Sequence, residues 1–323
     1  MSLAHGRSLR LAALLATSGA LVLGSSVAAD ANGPARPAAA PQQAAGAPGG
    51  PGGSTEIRVD MTAAGFSLPR TVPAGLVTFR VTSPDVDYHA LQGFRVNPGA
   101  TVEQVMQDFV IGNGDDPAGR AAGATALNHD ATLVGGVVTS AAGPISATFP
   151  LEPGTYHFFD LNDLFTPGLT PRLHTLSAVG RMRPYVVPSY DAVIVTTMYM
   201  DPATHEHLPI FGSVPSELPA NGTFFVINTG DEIHEAVFRG ARPGITDEYV
   251  TEFYDAVLNG TPRPPSPWTE GNGHGLQAIS PNRWAVLHIE LPPALYALIC
   301  YVPSDETGIP HAYIGMHEMV TLS

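Results

Sequence analysis

The chain is short of three things: cysteine, lysine and charge. It has a single cysteine, Cys300, in 323 residues, so no internal disulfide can form. All fifteen basic residues are Arg, and only 14% of the chain is charged. Fifteen cations against 29 acidic residues give a net charge of -14. Binding along a phosphate backbone needs clustered cations, so no nucleic-acid partner is expected. The same charge favours solubility and repels anionic membrane surfaces. After the first 24 residues no apolar run is long enough to span a bilayer. No Gly-x-Ser-x-Gly element, phosphate loop or dinucleotide fingerprint occurs in a suitable context, and no catalytic residue is assigned.

What the chain has in abundance is glycine (34), proline (31) and apolar residues (44%). That mixture suits short strands joined by turns better than long amphipathic helices. The length suggests two domains. Arg7 and Arg10, the apolar run Leu11 to Gly24 and the small residues Ser25 to Ala29 read as a signal peptide over 1–29. The expected location is therefore secreted or extracytoplasmic, with no transmembrane anchor left after cleavage. Residues 30–54, rich in Ala, Pro and Gly, read as a linker.

The rest of the chain repeats itself with a period of about 140 residues. Val77-Thr-Phe-Arg-Val leads through a polar turn to His89, and Thr223-Phe-Phe-Val-Ile leads through another to His234. Each half then offers one short helix, Val102 to Phe109 and Asp247 to Leu258. Phe149-Pro-Leu-Glu-Pro-Gly-Thr-Tyr156 has its counterpart in Ile289-Glu-Leu-Pro-Pro-Ala-Leu-Tyr296. Both run into an apolar strand, a loop and a histidine, His174 and His311. The expected fold is all-β: two tandem Greek-key sandwiches, over 55–182 and 190–323, each with a short inserted helix. The extended connector Arg183 to Ser189 lies between them.

A lone thiol in an exported protein can oxidise or cross-link chains, so Cys300 is either buried and inert or a working group. Its surroundings favour work. Cys300, His311 and Met316 follow one another within seventeen residues. A thiolate, two imidazoles and a weak axial thioether suit copper that cycles between its two oxidation states. His234, which opens a strand after the Asn228-Thr-Gly turn, is the natural fourth member.

With these residues in place, the second half resembles the cupredoxins, the blue-copper family of plastocyanin, azurin and the copper nitrite reductases. The resemblance implies one type 1 copper ion per chain, with His234, Cys300, His311 and Met316 as its ligands. Four residues separate His311 from Met316, as in plastocyanin-like proteins. The ten between Cys300 and His311 are closer to the longer nitrite-reductase loop. Cys300 and Met316 could instead be core residues, and His317 or Met319 could compete as ligands; family order favours the first set.

The first half departs at the decisive position. Aligning Tyr156 with Tyr296 puts Asp160 where Cys300 stands, so this half reads as a copper-free copy. His157, Asp160 and His174 are a weaker candidate for a harder metal such as zinc. His205 and His207, and His274, read as loop and turn residues.

The function implied is one-electron transfer to an unidentified redox partner outside the cytoplasm. Two readings compete: copper handling without redox work, and a metal-free interaction module. Multicopper oxidases and nitrite reductases place a second-copper His beside the copper-binding Cys. Here the neighbours are Ile299 and Tyr301, so catalysis is not expected. A fragment of roughly 190–323 is expected to keep the metal if it folds by itself.

Overall fold

The structure is a computed structural model, described over residues 53–323 except 142, 167, 203, 204 and 272. The signal peptide and nearly all of the linker lie outside the described residues. In the first half the strands are β1 (Thr55–Asp60), β2 (Thr71–Pro73), β3 (Gly75–Thr82), β4 (His89–Val96), β5 (Ala131–Thr139), β6 (Ile145–Leu151), β7 (Gly154–Asp160) and β8 (His174–Val179). Helices α1 (Val102–Gly112) and α2 (Pro117–Asp130) lie between β4 and β5. The second half has β9 (Ala192–Met200), β10 (His207–Ser213), β11 (Glu217–Leu218), β12 (Asn221–Asn228), β13 (His234–Gly240), helix α3 (Asp247–Leu258), β14 (His274–Ile279), β15 (Trp284–Glu290), β16 (Ala294–Ile299) and β17 (His317–Leu322).

The pairings repeat strand for strand. In the first half β1 lies parallel to β3, β3 antiparallel to β6, and β5, β4, β7, β8 and β2 follow one another. In the second, β9, β12, β15 and β14, β13, β16, β17, β11 do the same, with β10 added outside β9. This is a duplicated cupredoxin-like β-sandwich. Each copy carries the same corner: Tyr156 Oη donates to Glu152 O at 3.0 Å and Tyr296 Oη to Pro292 O at 3.1 Å.

The two copies are joined through both sheets. β5 pairs with β14 and β6 with β15, so a strand in each copy meets its own equivalent. Among the described residues one sheet thereby has seven strands and the other ten, and each runs through both copies. A continuous apolar core lies between them, from Val59, Phe79 and Phe158 to Phe224, Phe238 and Leu298. Volumes compensate across the repeat. Gly93 stands opposite Phe158 in one copy, and Phe238 stands opposite Leu298 in the other. A Cβ on Gly93 would come within 2.3 Å of the Phe158 ring, so the ring fills the space that Phe238 fills in the second copy.

The helices start where their caps dictate. Thr101 and Gln104 form a capping box for α1, and Thr246 caps α3, whose bounds match the helix expected from the sequence. The first half departs from the expectation of one helix. Asp116 accepts from Gly119 N and Pro117 takes the first helical position, which starts α2. Its Ala- and Gly-rich sequence has too little apolar periodicity to announce a helix. Small residues let it lie close to α1: a Cβ on Gly123 would come within 2.3 Å of Gly112 N. Together α1 and α2 bury Val105, Phe109 and Leu127 against Phe94, Leu133, Phe159 and, from the second copy, Ile233 and Ala278. Among the described residues no helix is long and apolar enough to cross a membrane.

Candidate metal centre

β13 and β16 are antiparallel neighbours, with Val237 opposite Ile299. The start of β13 and the end of β16 therefore lie at one end of the sheet. His234 is the first residue of β13, and Cys300 follows the last residue of β16. The chain then makes an excursion closed by the Pro303–Pro310 bridge and returns at His311, which opens a short 3₁₀ turn. His311 N donates to Val302 O at 2.9 Å and Ala312 N to Cys300 O at 2.7 Å. Met316 is bracketed by both, its N–H donating to His311 O and its carbonyl accepting from Cys300 N. The long Cys–His spacing is thus taken up by the excursion, and Cys300, His311 and Met316 stay together at its base.

Three donor atoms converge there. His234 Nδ1 lies 3.1 Å from His311 Nδ1, and Cys300 Sγ lies 3.4 Å from His311 Nδ1 and 4.0 Å from His234 Nδ1. The centre of that triangle is about 2 Å from each corner, close to ordinary metal–donor distances. His234, Cys300, His311 and Met316 are all fully buried. Among the described residues this is the only group of three or more His, Cys, Asp or Glu side chains whose donor atoms come within 4.8 Å of one another. A thiol with two imidazoles and no carboxylate in the group is a soft donor set, one that fits copper.

Burial holds these groups uncharged in the absence of metal. It pushes the His311 imidazolium down to about 3 and the His234 imidazolium well below its ordinary value. It also pushes the Cys300 thiol well up, with the nearby Glu235 carboxylate adding to the effect. Both rings are then neutral at pH 7, and a metal bound there would take the place of the thiol proton.

Several residues outside the four candidate ligands shape the site. Glu235 N donates to Cys300 Sγ at 3.4 Å, and the Glu235 carboxylate accepts from Tyr301 N at 2.7 Å. Burial pushes that carboxyl up to about 7. Glu232 Oε2 meets His311 Nε2 at 2.9 Å and accepts from Asp305 N at 3.0 Å. Burial, then repulsion from Glu232, pushes the Asp305 carboxyl up to about 6. Asn228 closes the turn before His234, donating to Glu232 O and Ile279 O and accepting from Gly230 N. An acidic residue either side of His234 was the only sequence signal for Glu232 and Glu235, and acidic turns are common.

The first copy also reaches the site. On α2, Arg120 Nε donates to Gly308 O at 2.6 Å, Thr125 Oγ1 to Asp305 O at 3.2 Å and Asn128 Nδ2 to Asp231 O at 2.8 Å. Gly308 has φ +66°, and a Cβ there would lie 1.8 Å from Pro117 O. Only glycine fits that approach. The helix that the sequence concealed is therefore the one that clamps the loop between Cys300 and His311.

The other candidates are placed elsewhere. His317 is held by α3, its Nδ1 3.2 Å from Asp247 Oδ1 and its Nε2 3.3 Å from Thr251 Oγ1. Met319 packs with the cluster beneath α3. His157 Nδ1 faces Thr175 Oγ1, whereas Asp160 engages His89, so His157, Asp160 and His174 do not converge. The expected match of His174 with His311 is corrected by strand register. His174 opposes Phe158 and Glu318 opposes Leu298, so His174 stands where Glu318 does. His274 is not a turn residue: it opens β14, is buried, and meets Ser140 Oγ at 3.1 Å. His205 lies in a turn at φ +60°, and His207 opens β10; both are exposed.

No family model matches the chain, and no curated protein matches it. Solved structures do resemble it. Auracyanin B is 17% identical over 43% of this chain and 93% of its own, with a TM-score of 0.25. The reduced auracyanin of the photosynthetic bacterium Roseiflexus castenholzii is 14% identical over 41% of this chain and 95% of its own, also at 0.25. A multicopper oxidase is 13% identical over 84% of this chain and 90% of its own, at 0.24. Likeness at this level carries no argument, and the fold rests on the strand order and pairing given above.

Proposed function

We propose that the protein is an extracytoplasmic blue copper protein that carries single electrons. His234 Nδ1, Cys300 Sγ and His311 Nδ1 would hold one copper ion, with the Met316 thioether as a weak fourth ligand. The observation that carries this reading is the buried Nδ1–Nδ1–Sγ triangle, built from the donor types that copper of both oxidation states accepts. Copper so bound supplies a one-electron couple. The protein's part is to keep water away, fix both imidazoles and hold the thiolate by the Glu235 N–H.

Electron transfer is favoured over oxidation of a substrate by what surrounds Cys300. Its chain neighbours are Ile299 and Tyr301, and neither offers an imidazole to a second copper. Tyr301 instead hydrogen-bonds with Arg239 and Tyr254 beneath α3. Direct electrochemistry of the copper-loaded full chain tests the reading. A reversible one-electron wave, with electron exchange to a soluble redox protein, supports it. Stoichiometric copper with no reversible wave overturns it in favour of copper handling.

A further inference from the structure

Among the described residues, only one carboxylate is hydrogen-bonded to a side chain of the candidate copper set. Glu232 Oε2 lies 2.9 Å from His311 Nε2, and the two side chains are 8% and 0% exposed. Further hydrogen bonds hold Glu232 in place. The same oxygen accepts from Asp305 N, and the Glu232 carbonyl accepts from Asn228 Nδ2. Its neighbours on both sides are fastened to α2, Asp231 through Asn128 and Asp305 through Thr125. His234 has no such partner: its Nε2 is buried without a hydrogen bond. The two imidazoles are therefore inequivalent.

An imidazole that donates its Nε2–H to a carboxylate keeps its lone pair on Nδ1. That is the atom facing Cys300 Sγ at 3.4 Å. The ionised carboxylate also places negative charge one ring away from the donor triangle, in a largely buried setting that screens it weakly. Negative charge there favours the more highly charged copper ion. We propose that Glu232 is a positioning residue that fixes the His311 tautomer and lowers the reduction potential of the copper, with α2 of the first copy holding it in place. This rests on the copper reading above.

The test compares Glu232→Gln and Glu232→Asp in the copper-loaded full chain by spectroelectrochemical titration at pH 8. Glu232→Gln keeps a hydrogen-bond acceptor but loses the charge. It is expected to retain the blue absorption and shift the preference toward Cu(I) by about tenfold, or ~59 mV upward. Glu232→Asp, which keeps the charge, is expected to move less than half as far. A loaded Glu232→Gln protein with an unchanged potential overturns the proposal. Nitrogen NMR of the metal-free wild-type chain provides a reading that needs no variant and no copper. His311 is expected as the Nε2–H tautomer, and the Nδ1–H tautomer overturns the proposal. Failure of the wild-type chain to bind copper would sink the functional reading and leave the NMR outcome to decide this one.

Discussion

His89 Nδ1 lies 2.6 Å from Asp160 Oδ2, in the place where the second copy sets His234 beside Cys300. The backbone repeats too. Ala90 N donates to Asp160 Oδ1, as Glu235 N donates to Cys300 Sγ. A carboxylate thus bonds directly to the imidazole in the first copy. Asp85 Oδ2, 3.1 Å from His89 Nε2, completes the pairing.

The pair makes stability depend on pH in a defined direction. The Asp160 hydrogen bond raises the His89 pKa, and Asp85 adds to the effect against the opposing burial. A raised folded-state pKa contributes stability below about 6.5, the unfolded value, and loses it as pH climbs through the folded value. Asp160→Asn is therefore expected to lower the melting temperature more at pH 6 than at pH 9. An equal loss at both pH values would contradict the pairing. Asp160→Cys is expected to give no second blue site, because His174 stands at the Glu318 position and no second imidazole is supplied.

The clamp from α2 predicts that Gly308 is intolerant. Gly308→Ala places a Cβ against the Pro117 carbonyl at a positive φ, and overpacking of this kind costs about 1–3 kcal/mol. Faster copper loss to a chelator, with the fold retained by circular dichroism, is the expected result. Wild-type release rates would count against the clamp. The fragment 190–323 meets a harsher form of the same problem. It loses α2 and exposes the β14 and β15 edges that β5 and β6 cover. It is expected to aggregate or to lose copper, in contrast to what the repeat alone suggests.

The role proposed for Met316 predicts that Met316→Leu keeps the colour and raises the potential, since removing a weak thioether donor favours Cu(I). Met316 is fully buried and a Leu of similar volume fits the space. Redox titration of the variant checks this; an unchanged potential would leave Met316 as core alone.

Turnover is not expected. Assays with phenolic substrates and oxygen, and with nitrite and an electron donor, should give no rate above free copper. The chain neighbours of Cys300 are Ile299 and Tyr301, and neither supplies an imidazole for a second copper. Cys300-dependent turnover that survives dialysis would require a second centre.

The sequence showed most plainly what repeats and what is chemically unusual. Tyr156 and Tyr296 mark equivalent strands because the same corner follows the same Pro-containing turn in both copies. His234, Cys300, His311 and Met316 stood out because their types and order are rare. The joining of the copies was hidden, because β5, β6, β14 and β15 read as apolar strands whichever edges they meet. So was α2, whose helicity comes from its cap and its packing on α1. His174 misled because a histidine after a strand looks like a ligand until register places it. Glu232 was invisible as a partner of His311 because they are 79 residues apart in sequence and meet only through the fold.

Copper titration of the metal-free full chain, followed by visible absorption and electron paramagnetic resonance, tests the central claim most directly. The account predicts saturation at one copper per chain, intense thiolate-to-copper absorption and a small parallel hyperfine splitting, all abolished in Cys300→Ser. An ordinary tetragonal signal without thiolate absorption, or full colour in Cys300→Ser, would contradict it.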